Sequence, residues 1–106
     1  MLNKMNMIAG LGAAFGYESV SVTNAAKPLN SGVYTDSDGE YAKRAVITVE
    51  TMPIRYRYDG TDPTSSEGHL LQPMDVLTLI GSSNIQNFRV IRQGGTNATI
   101  KVTYEN

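Results

Sequence analysis

The chain has 106 residues, nine Lys plus Arg against ten Asp plus Glu, one His, and neither Cys nor Trp. That length fits a single domain with one core, and the absence of Cys excludes disulfides, thiolate nucleophiles and Cys-ligated zinc. Four positive and four negative charges fall up to Arg44, and five positive and six negative after it, so neither half is the polycation that a non-specific nucleic-acid binder needs.

Residues 1–16 hold one Lys and then the apolar run Met7-Ile-Ala-Gly-Leu-Gly-Ala-Ala-Phe15. The run is too short to span a bilayer, and its basic lead is too weak for a secretory signal. It reads as an N-terminal arm that docks on a neighbour through residues such as Met7 and Phe15, ahead of a domain over residues 17–106.

Alternation dominates the rest. Ser19-Val-Ser-Val-Thr23 puts Val20 and Val22 on one face. Pro28 to Tyr34 is a weaker strand because Gly32 interrupts it, and Thr35 to Glu40 is a run of turn formers. Ala45 to Thr51 carries Ala45, Ile47 and Val49 on one side. After Met52-Pro53, Ile54-Arg-Tyr-Arg-Tyr58 turns Ile54, Tyr56 and Tyr58 inward and Arg55 and Arg57 outward. Val76-Leu-Thr-Leu-Ile80 is apolar on both faces, so its Val76 and Ile80 side predicts a covering partner. Asn84 to Asn87 fits one helical turn. Phe88 to Arg92 and Ala98 to Tyr104 complete the set, the latter read as an edge strand able to pair with a neighbouring subunit. Six or seven short strands with frequent turns predict a small antiparallel all-β sandwich, Ig-like or jelly-roll-like, with an N-terminal arm.

Chemistry-bearing groups are sparse. Asp36-Ser-Asp-Gly-Glu40 has the look of a calcium loop. With Gly39 at the loop's glycine position, though, Tyr34 falls where the first carboxylate belongs and Ala45 where the bidentate Glu belongs, so a solvated turn is the better reading. His69 has no Cys or second His to share a metal, and no Gly-x-Ser-x-Gly elbow surrounds Ser65 or Ser66. No catalytic residue, cofactor or metal is therefore expected, and His69 reads as a loop-capping group. Arg55, Arg57, Arg89 and Arg92 form either an anion-recognising stripe or a solvated face with weak ion pairs, the second being favoured. Asp59-Gly60 and Asp62-Pro63 predict an ordered loop whose Asp59, Thr61 and Asp62 could present a contact surface beside Arg55 and Arg57.

Two resemblances rest on this region. The pattern Arg-Tyr-x-x-Asp-Gly-Thr-x-Pro-Thr-x-Ser, running from Arg55 to Ser66, resembles the strand–turn signature of the Ig-like domain at the C-terminus of chitobiase-type enzymes, which implies an accessory sandwich without an active site. A longer stretch is similar to small β-rich virion proteins of tailed bacteriophages. It includes Ala45 to Thr51, Pro53 to Arg57, Asp59 to Thr64, Gly68 to Leu71, Phe88 to Arg92 and Ala98 to Glu105. That resemblance implies a structural component at the capsid surface, assembled in the host cytoplasm. A decoration or cement protein suits the size, its partners being the major capsid protein or neighbouring virion proteins and further copies of itself as dimer or trimer. Neither nucleic acid nor membrane is expected as a partner. The competing expectation is a tail-associated carbohydrate- or receptor-binding module, prompted by the six Tyr and the chitobiase-like turn.

Overall fold

The structure, a computed structural model, describes residues 12–106. Its strands are β1 (Ala14–Val22), β2 (Lys27–Pro28), β3 (Arg44–Glu50), β4 (Ile54–Arg57), β5 (His69–Leu71), β6 (Val76–Ile80), β7 (Arg89–Arg92) and β8 (Ala98–Glu105). They form two four-stranded sheets, ordered β1-β8-β3-β6 and β2-β7-β4-β5, with every pair antiparallel. This is the all-β sandwich that the alternation predicts.

The pairings nest. β1 lies on β8, β2 on β7, β3 on β6 and β4 on β5, as in one long hairpin doubled over between β4 and β5. The pairs β3–β8 and β4–β7 then roll that ribbon up, so the chain changes sheet at every connection except β4 to β5. That is the connectivity of an eight-stranded jelly roll. The Ig-like alternative needs a different strand order, with the first strand beside the second.

Alternation explains the core. Val20 and Val22 of β1, Ala45, Ile47 and Val49 of β3, and Ala98, Ile100, Val102 and Tyr104 of β8 are all buried. They face Ile54 and Tyr56 of β4, Val90 of β7 and the adjoining Phe88 across the sandwich. Each fully buried aliphatic side chain contributes about 1.5–3 kcal/mol.

Two short helical segments plug the ends. Asn30 Oδ1 accepts the Gly32 N–H at 2.9 Å and so caps α1 (Ser31–Tyr34), which inserts Tyr34 edge-on against Tyr104. Of the strand expected over Pro28 to Tyr34 only Pro28 enters a sheet, at the end of β2, and this capped turn replaces the rest. α2 (Ser82–Gln86) buries Ile85 and matches the helical turn expected near Asn84.

Two expectations about edges change. β1 starts at Ala14, ahead of the expected boundary at residue 17, and its alternation there is hidden by Gly16 and a register shift between Ala14 and Gly16. Phe15 is partly buried against the core, so it packs within its own domain, while Met7 lies outside the described residues. β8 is an interior strand held between β1 and β3, so it has no free edge to offer a neighbour. Among the described residues the edge strands are β1, β2, β5 and β6.

Candidate functional site

The Arg stripe comes together, and its partners come from its own chain. Arg57 of β4 sits directly across from Arg89 of β7, with Arg55 further along the same outer face. The loop from Asp59 to Gly68 folds back over that face, supplying hydrogen-bond acceptors to Arg55 and Arg57 and an ion-pair partner to Arg89, which donates to the Gln86 and Phe88 carbonyls. Arg57 makes a two-pronged contact with Asp59, Nε to Oδ1 at 3.1 Å and Nη2 to Oδ2 at 2.5 Å. Asp62 lies 3.9 Å from Arg89 Nε. Arg55 donates to the Ser65 and Gly68 carbonyls at 3.0 and 2.9 Å. Arg92 is apart from the stripe and donates to Asn97 Oδ1. The stripe therefore anchors a loop, and Arg55 is not free to meet a ligand.

Backbone geometry shapes the loop. Gly60 has φ 84°, the left-handed conformation that the Asp-Gly pair signals. Asp59 Oδ1 also accepts the Thr61 N–H at 3.2 Å, leaving Thr61 exposed at the turn. Gly68 has φ 130°, and a Cβ there would lie 3.0 Å from both Pro63 Cβ and the Tyr56 carbonyl oxygen. Pro63 is thus buried under the returning chain, and outward-facing Ile91 is only 9% exposed. The hydrogen bond and the charge of Asp59 push the Arg57 pKa up, and the Arg57 hydrogen bond holds the Asp59 carboxyl below its usual range.

Beside this loop lies an open groove of about 740 Å³ lined by Arg57, Tyr58, Asp59, Glu67, His69 and Asn84. Tyr58 and His69 in its wall end a file of rings that runs out from the core. Buried Phe88 stacks on Tyr56 at 5.5 Å between centroids, and Tyr56 meets Tyr58 at 6.3 Å and His69 at 5.2 Å. Burial, with a smaller contribution from Tyr58, raises the Tyr56 pKa. Tyr58 was expected in the core with Tyr56; it is 44% exposed, because β4 ends at Arg57 and the next residue leaves the strand register. His69 does not cap the loop. It opens β5 across from Tyr56 and packs its ring on the two tyrosines.

Asp36 Oδ1 accepts the N–H groups of Asp38 and Glu40, both at 2.9 Å, which makes the acidic segment a self-satisfied turn. Among the described residues no group of three or more His, Asp or Glu converges as a metal site would require.

The second candidate surface is the outer face of the first sheet. Across its strands run Tyr17, Thr103, Val46 and Thr78 in one rung, and Ser19, Lys101, Thr48 and Val76 in the next. The charges on this face sit near one another in opposite pairs. Arg44 Nε is 2.9 Å from Glu105 Oε1, although its N–H is not aligned for a hydrogen bond, and Lys101 Nζ is 4.0 Å from Glu50. Val76 and Ile80 stand at the β6 margin of the face, each 61% exposed. They do point outward as alternation predicts, and nothing among the described residues covers them. Sequence reasoning put these two on the outer face and named Arg57 and Asp59 of the groove as contact candidates, but did not join them to Tyr58, Glu67, His69 and Asn84, which come from the β4 end, the loop, β5 and α2. No protein family, curated protein or solved structure matches the chain.

Proposed function

We propose that this protein is a non-enzymatic structural component of a bacteriophage virion, a decoration or cement protein that binds the coat-protein shell and associates with further copies of itself. One observation carries this reading. The first sheet offers an outer face of Thr, Ser, Val and Tyr whose charges are neutralised within the face, bordered by exposed Val76 and Ile80. Such a surface can be desolvated against a partner without leaving a charge unmatched. The resemblance of residues 45–105 to small phage virion proteins points the same way. Jelly rolls occur in capsid and lectin domains alike, so the fold agrees with this reading without selecting it.

Purified protein mixed with shells assembled from the coat protein of the same genome tests it by co-sedimentation. Binding that saturates near one site per fixed number of coat subunits is expected; protein left in the supernatant at every ratio contradicts it.

A second reading, a glycan- or receptor-binding module, is favoured by one feature: Tyr58 presents an exposed ring above a groove carrying Arg57, Asp59 and Glu67. An aromatic face flanked by hydrogen-bonding groups suits a sugar ring. Glycan-array signal that disappears in Tyr58→Ala would favour this module, and a blank array would count against it.

A further inference from the structure

We infer that β6 is a self-pairing edge through which two copies join into one continuous eight-stranded sheet; this deepens the self-association part of the proposed function. Edge strands carry unpaired main-chain groups, and folded proteins blunt them with Pro, Lys, shortness, bulges or inward-pointing charges. Among the described residues, three of the four edges are blunted. β2 is Lys27-Pro28, β5 has three residues, and β1 has a register shift and turns Glu18 inward to Tyr104 and the Asn30 N–H. β6 is Val76-Leu-Thr-Leu-Ile80, with no charge, no Pro and no bulge.

The parity of the ladder identifies which groups are free. Val49 N–H donates to the Asp75 carbonyl and Gly81 N–H to the Lys43 carbonyl, so the odd-numbered positions of β6 exchange hydrogen bonds with β3. The N–H and C=O groups of Val76, Thr78 and Ile80 consequently point away from the sheet. A two-fold axis at Thr78 sets Thr78 against Thr78 of the second copy and Val76 against its Ile80. Each of these is then a hydrogen-bonded pair. On the outer face Val76 meets Ile80, and on the inner face Leu77 meets Leu79, so every apolar side chain gains an apolar cross-strand neighbour. The strand is self-complementary in polarity and in hydrogen-bond parity about the same residue. That coincidence selects a second copy over an unrelated strand, and a two-fold interface requires such self-complementarity. Ile80's carbonyl already accepts Asn84 Nδ2 at 2.9 Å, and in the pair it shares its second lone pair.

Sedimentation equilibrium of the full chain, with two variants, tests this. Thr78→Pro removes the N–H at the axis, which β3 does not use, so the variant keeps its own ladder while the pair loses its centre. Val76→Lys places a charge opposite Ile80 of the second copy, and adding Ile80→Glu in the same chain sets opposite charges across both outer pairs. The wild type is expected as a dimer. Each single variant should dissociate it about tenfold or more, with far-UV circular dichroism unchanged, and the Val76→Lys, Ile80→Glu double variant should regain affinity. If Thr78→Pro does not fold, the lysine variant and its rescue decide alone. A dimer indifferent to folded variants overturns the β6 edge and leaves self-association standing through another surface. A wild-type monomer at about 100 μM overturns self-association as well, without bearing on whether shells bind the chain.

Discussion

Replacing Tyr104 by Phe isolates one buried hydrogen bond that ties three elements together. The Tyr104 ring is fully buried at the end of β8, and its hydroxyl donates to Glu18 Oε2 of β1. The same oxygen accepts the Asn30 N–H at 3.2 Å, at the cap of α1. Phe keeps the ring and creates no cavity, so the loss is the hydrogen bond to a charged acceptor, worth about 1.5–3 kcal/mol. Glu18 is half-buried and keeps Asn30, which places the expected loss near the lower end of that range. A pH signature accompanies it. Burial first, then the Glu18 hydrogen bond and the Glu18 charge, raise the Tyr104 pKa well above its ordinary value. The folded state thus holds this proton more tightly than the unfolded chain. The resulting stability is fully present below about pH 10 and is lost above it by about 1.4 kcal/mol per pH unit. Tyr104→Phe lacks that loss. Urea midpoints measured from neutral pH to about pH 11 should therefore show a gap between wild type and variant that narrows as pH rises beyond about 10. A gap that is absent at neutral pH, or that stays constant into alkali, would mean that the Tyr104–Glu18 hydrogen bond does not stabilise the fold in this way.

Gly68→Ala should cost on the order of 1–3 kcal/mol, since a side chain at φ 130° is strained and meets Pro63 and the Tyr56 carbonyl. Gly94→Ala, where nothing lies within 4 Å, should stay within about 0.5 kcal/mol of wild type, and urea denaturation compares the two. Arg55→Ala should release the Asp59–Gly68 loop, raising amide exchange at Thr64 to Gly68 while β3 and β8 stay protected. Exchange in the loop that matches wild type would mean that Pro63 burial alone holds it down.

Much of the fold was legible because strand faces obey a period of two. Spacing alone puts Ala45, Ile47 and Val49 on one face, and Ala98, Ile100, Val102 and Tyr104 on one face, and both sets are buried. Strand order was not legible, since it depends on which distant strands meet. β8 alternates cleanly whether it lies at an edge or between β1 and β3. Tyr58 shows the limit of extending a pattern past a strand end, and Arg55 the limit of equating outward with solvated. Its outward guanidinium is enclosed by a loop that returns from thirteen residues further on. The outward direction of Val76 and Ile80 follows from the same period of two, and both are exposed. The groove was invisible, since Tyr58, Glu67 and Asn84 have no shared spacing.

The proposed place on a virion shell is decided by quantitative mass spectrometry of purified virions carrying the gene for this chain. A shell component is expected at a copy number comparable to the coat protein. Absence from the particles, or only a handful of copies per particle, would contradict it.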